Sequence, residues 1–105
     1  MIATAPTRAD VQARLVDSQA EVFRLGVRRL ALFGSVQRNA ARPDSDIDLL
    51  VEFEPGQKSY DHFFALSDLL ERLLDHSVEL VTLESLSPFL RPHILADATD
   101  VIRAA

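Results

Sequence analysis

The sequence predicts an α/β fold of the α+β kind, a mixed three- to four-stranded sheet with helices packed on it, in a single domain over residues 1–105. Three observations predict it. Segments with strand composition recur as VRRLALF from Val27, DIDLLVEF from Asp46 and SVELVTL from Ser77, and the second alternates apolar and acidic residues with a period of two. Around them, apolar residues recur at helical spacing, first at Val11, Leu15, Val22 and Leu25, then at Phe63, Leu66, Leu70 and Leu73. Finally, 105 residues that are 48% hydrophobic and 26% charged suffice for one core and leave no room for a second domain.

The elements follow in order. Residues 1–6 read as a flexible arm. Thr7 is a candidate N-cap with an acid three residues on, and Gly26 a C-terminal stop, so one helix is expected over 8–25. Val27 to Phe33 forms the first strand, apolar enough for a buried position. A short helix is expected from Ser35 to Asn39, then a loop over 40–45 with Pro43 and Asp44 as turn formers. In the strand from Asp46 to Phe53, Ile47, Leu49, Val51 and Phe53 share one face and the acids the other. A helix over 60–76 carries a broad apolar stripe widened by Phe64, Leu69 and Leu74, whose excess breadth suits core packing or a partner surface. It connects to the strand Ser77–Leu83, a crossover that is right-handed if the two strands are parallel. Ser87-Pro88 opens a short helix through Phe89, Leu90, Ile94 and Leu95, kinked or restarted at Pro92, and Val101-Ile102 closes the sheet.

Asp46 and Asp48 leave the same side of one strand, with Cα atoms expected about 6.6 to 7 Å apart. Side chains converging from that distance can share one divalent cation or span two, the arrangement of two-metal phosphoryl and nucleotidyl chemistry, and an all-oxygen donor set suits Mg²⁺. Gly34-Ser35 supplies the complement: a glycine leaving a strand lets backbone N–H groups approach a phosphate, and the serine can cap a helix and donate its hydroxyl. Alone, Gly-Ser is an ordinary turn and Asp-x-Asp an ordinary strand end; their succession across two strands is the signal. Arg38 and Arg42 either reach phosphates or are solvated loop arginines, and solvation is the better account of Arg38. Glu79, a lone acid in an apolar strand, needs a cation, a hydrogen bond or solvent. His62, His76 and His93 show no ligand spacing.

Gly34, Ser35, Arg38, Arg42, Ser45, Asp46, Ile47, Asp48, Leu49 and Val51 resemble the signature of the minimal nucleotidyltransferases, a branch of the DNA polymerase β-like superfamily, and the LRPHILADATDV tail is similar to that of the family. The resemblance implies a polymerase β-like fold and Mg²⁺-dependent transfer of AMP from ATP. In that chemistry Asp46, Asp48 and Glu79 would be catalytic and metal-binding, and Gly34, Ser35, Arg42 and Ser45 would bind nucleotide. It further implies a toxin–antitoxin pair in which this chain is the antitoxin and modifies a hydroxyl, expected to be a tyrosine, of a HEPN ribonuclease. The family usually has Asp where this chain has Glu79, which favours the alternative of a binding-only antitoxin.

Other classes are disfavoured. A net charge of −5 offers no broad surface for nucleic-acid phosphates, so a protein or small-molecule acceptor is expected and direct nucleic-acid binding is not. A small-molecule transferase would lack an acceptor domain unless a dimer built one, and a homo-oligomer is compatible with the rest. An Asp-x-Asp glycosyltransferase would need a longer chain. No apolar run approaches the roughly 20 residues that span a bilayer, and the start, IATAPTRAD, lacks a signal segment, so no membrane association and a cytoplasmic location are expected. Zero cysteines exclude disulfides and thiolate metal sites.

Overall fold

The computed structural model describes residues 4–105. The chain forms helices α1 (Arg8–Asp17) and α2 (Gln19–Phe23), strand β1 (Val27–Phe33), a single turn α3 (Gly34–Gln37) and strand β2 (Ile47–Phe53). These are followed by helix α4 (Tyr60–Leu74), strand β3 (Val78–Thr82), a 3₁₀ turn (Leu83–Ser85), helix α5 (Leu90–Asp97) and strand β4 (Thr99–Arg103). The sheet order is β3-β2-β1-β4. β1 runs antiparallel to both neighbours, and β2 and β3 are parallel, the crossover between them being α4, as parallel pairs require.

The period-two pattern of β2 divides the molecule. Ile47, Leu49 and Val51 face a large core with Leu30 and Leu32 of β1, Val11 and Leu15 of α1, and Leu66, Leu70 and Leu74 of α4. On the other face, Ala31, Phe33 and Leu50 form a smaller cluster under Val81, Leu83, Leu86, Ile94 and Ala98. β1 sits at the centre with a burial pattern of near-continuous apolar residues, as expected from VRRLALF. Residues that point away from the large core on β1, β2 and β3 therefore share the thinner, partly uncovered side.

Two expectations change, and two that were left open are decided. The helix over 8–25 is two helices: Ser18, at φ −115° and ψ 21°, leaves helical geometry and its N–H donates to Leu15 and Val16 carbonyls. The Ser18 side chain caps neither helix, so the break is one of backbone geometry, and beyond it Val22 joins the large core. Asp46 precedes β2 rather than opening it, because pairing begins only where the Ile47 N–H reaches the Ser77 carbonyl at 2.9 Å. Pro92 falls in the first turn of α5, which begins at Leu90: the Arg91 N–H donates to the Ser87 carbonyl at 3.0 Å, and the next such bond would need the N–H that Pro92 lacks, so the helix restarts there. On α4, Leu69 and Leu74 are buried as expected, but Phe64 is 63% exposed and stacks on Tyr60, 82% exposed, with ring centroids 6.3 Å apart. Of the expected arm, residues 1–3 lie outside the described residues, while Thr4, Ala5 and Pro6 line a cavity of about 170 Å³ beside Asp10, Val11 and Ile47.

Candidate active site

Register places the acids. Phe33 on β1 pairs with Asp48 on β2, and Asp48 pairs with Glu79 on β3. The turn that begins at Gly34, the Asp48 carboxyl and the Glu79 side chain thus arrive at one level of the sheet's thinner side. Gly34 has φ +79°, and a Cβ placed on it would strike the Asp48 carboxylate. Only glycine allows β1 to turn into α3 this close to the acid, for reasons both of backbone conformation and of space.

Charge is crowded here. Burial raises the Asp48 pKa from 3.8 to about 6, helped by repulsion from Glu79 and Asp46 and by a hydrogen bond shared with the Glu79 carboxyl, while the Arg38 guanidinium pulls the other way. Asp48 is half-buried, and Asp46 and Glu79 are exposed. Asp46 is therefore near enough to repel Asp48, but among the described residues no three His, Cys, Asp or Glu side chains converge as a ready cation cage. The close pair is Asp48 with Glu79.

The nucleotide candidates separate. Gly34 lies against Asp48, and Ser35 follows it, half-buried, in the single turn α3. Ser45 and Arg42 instead close their own loop: the Arg42 N–H donates to Ser45 Oγ at 2.8 Å and the Ser45 N–H to the Arg42 carbonyl at 3.0 Å. The Arg42 side chain is exposed. His76 ties that loop to the start of β3, its Nε2 lying 2.8 Å from the Ser45 carbonyl; a carbonyl only accepts, so Nε2 carries the proton.

Two residues that sequence reasoning undervalued stand in the site. Arg38 is not simply solvated: its Nη1 donates to Asp97 Oδ2 at 2.8 Å, and it is the one group that lowers the Asp48 pKa. Asp97, at the end of α5, also accepts the Gly34 N–H on the same oxygen at 2.8 Å. Nothing local in LADATD marks it, because the contact spans 63 residues.

Residues 16–101 match the nucleotidyltransferase domain family. A provisionally named protein adenylyltransferase of Methanocaldococcus jannaschii is 42% identical over 77 residues, 73% of this chain and 82% of the relative. The protein adenylyltransferase MntA of Thermococcus cleftensis is 40% identical over 78 residues, 74% and 78% of the two chains. Among solved structures, a candidate minimal nucleotidyltransferase superposes with TM-score 0.73 at 40% identity, covering 83% of this chain and 88% of that one. Two more distant structures share the fold at 22% identity. One, a toxin–antitoxin pair with AMP-PNP, has TM-score 0.68 and covers 89% and 73% of the chains. The other, a tri-AMPylated Shewanella oneidensis HEPN toxin in complex with its MNT antitoxin, has TM-score 0.60 with the same coverage. A glycine turn set against a pair of acids on adjacent strands, within a sheet shared with these proteins, makes the chain a member of the nucleotidyltransferase domain family, as a minimal nucleotidyltransferase.

Proposed function

We propose that this chain transfers AMP from ATP to a hydroxyl, a tyrosine in the first instance, of a HEPN ribonuclease toxin, and so acts as its antitoxin. The observation that carries the proposal is the level formed by Gly34, Asp48 and Glu79, where acidic side chains meet a turn stripped of side-chain bulk. Similarity to proteins named protein adenylyltransferase and a shared fold with antitoxins solved against HEPN toxins support the choice of nucleotide and acceptor.

The donor set fits a hard cation, being all oxygen, and repulsion from Glu79 and Asp46 adds to the rise that burial gives the Asp48 pKa, a crowding that a cation would relieve. Mg²⁺ would be held by Asp46 and Asp48 with Glu79 alongside, and would supply neutralisation of the triphosphate and alignment of the displacement. The chain's own residues do the rest. Gly34 and Ser35 lie against the phosphates, Arg38 adds a cation, and the exposed Glu79 is the carboxylate a partner's hydroxyl can reach. As the acceptor oxygen bonds to the α-phosphorus, its proton passes to Glu79 and the bond to the β-phosphate oxygen breaks, releasing pyrophosphate. Arg42 and Ser45 serve by shaping the loop that delivers Asp46.

A second reading, binding without turnover, is favoured by one observation: the three acids do not converge as a cation cage. Intact-mass measurement on a mixture of this chain, Mg²⁺, ATP and a HEPN toxin from the same organism separates the two. An adenylate increment on the partner, absent with Asp46→Ala or Asp48→Ala, is expected. A tight complex with no increment overturns transfer.

A further inference from the structure

Three points of the segment 34–38 are fastened to one residue of α5. Asp97 Oδ2 accepts the Gly34 N–H and the Arg38 guanidinium, each at 2.8 Å, and the Asp97 carbonyl accepts the Gln37 amide at 2.7 Å. The Asp97 side chain is 23% exposed and that of Arg38 57%, so Asp97 is the fixed member of the ion pair and Arg38 the one that would otherwise sway in solvent. The segment it fastens is the one whose placement matters most: Gly34 lies hard against Asp48, and the Arg38 charge is felt by that carboxyl.

We propose that Asp97 is a positioning residue of the nucleotidyl-transfer site, holding the Gly34 turn against Asp48 and aiming Arg38 at the phosphates; this rests on the function proposed above. A single carboxylate oxygen between a backbone N–H and a guanidinium is a charge-assisted arrangement whose geometry is narrow. Without it the Gly34 N–H loses its acceptor, and Arg38 regains rotamers that must be frozen again when ATP binds. The loss falls on nucleotide binding more than on the chemical step.

The test compares wild type with Asp97→Ala, Asp97→Asn, Arg38→Ala and the Asp97→Ala/Arg38→Ala double variant, using the full chain, Mg-ATP and the HEPN partner. Asp97→Ala is expected to raise the KM for ATP about tenfold, the scale of one charge-assisted hydrogen bond, with kcat changed by less than about threefold and the melting temperature near wild type. Arg38→Ala should raise it as well, and the double variant should be no worse than Asp97→Ala alone, since Arg38 serves the nucleotide only when Asp97 aims it and Asp97→Ala already frees the Gly34 turn. Asp97→Asn keeps an acceptor for Gly34 but no charge for Arg38, and should fall between. An unchanged KM with a lowered melting temperature, or effects of the two alanines that multiply, overturns the assignment. Should Asp97→Ala not fold, Asp97→Asn carries the same comparison. If wild type binds ATP without transferring it, the dissociation constant replaces KM and only the transfer proposal falls; if it binds no ATP, both fall.

Discussion

Asp48 is held under electrostatic load. Its native carboxyl keeps a proton up to about pH 6, whereas in the unfolded chain it lets go near 3.8. A carboxyl shifted in this direction stabilises the fold below the unfolded value, and that contribution is lost as pH rises through 6. At neutral pH the ionised group is therefore a burden. Asp48→Asn, which removes the charge and keeps the size, should raise stability at pH 7 by about 1 to 2 kcal/mol, a figure reduced from the full shift for partial exposure. The gain should shrink through pH 6 and vanish by about pH 4, as thermal melts across that range would record; a variant no more stable at pH 7 would count against the crowding. The same substitution should abolish adenylate transfer, the usual opposition of stability and activity at a functional site.

Helices differ in how firmly they hold the sheet. α4 buries Leu66, Leu69, Leu70 and Leu74, is N-capped by the Ser59 hydroxyl and ends at Asp75 in the left-handed conformation, so each terminus is provided for. Leu70→Ala should cost about 2 to 5 kcal/mol by chemical denaturation, the range for a truncated core leucine. α5 has no fully buried residue; it is held by Ile94 and Ala98 against the smaller cluster, by the Ser87 hydroxyl that accepts the Leu90 N–H at 3.3 Å, and by the bonds of Asp97 to Gly34, Gln37 and Arg38. Amide hydrogen exchange should be faster in residues 90–97 than in 66–74, because burial protects α4 more than polar bonds protect α5; equal protection would mean that the Asp97 bonds hold α5 as firmly as burial holds α4. The elements themselves were legible from periodicity and end signals, since β2 alternation and the α4 stripe record directly which side meets the core. What sequence could not give was the break at Ser18, where the apolar period continues across the fault, and the partner of Arg38, which depends on a helix docking from far along the chain. Glu79 was legible as an anomaly, an acid among apolar neighbours that the family resemblance groups with Asp48, and the sheet register sets the two residues side by side.

For the molecule as a whole, cation and nucleotide should stabilise each other's binding. The acids repel without a cation, and the triphosphate adds negative charge beside them, so Mg²⁺ and ATP together should raise the melting temperature by several degrees and by more than either alone, as mass action on a shared site requires. An unchanged melt at millimolar concentrations of both would sink the site. The sheet order has a consequence for biosynthesis. Central strand β1 waits for β4, its partner of residues 99–103, and the Gly34 turn waits for residue 97. A nascent chain whose residues 97–103 are still inside the ribosome therefore has its acids made and its glycine turn unfastened. Enzymatic competence should switch on only once residues 97–103 have emerged, and not grow gradually with length.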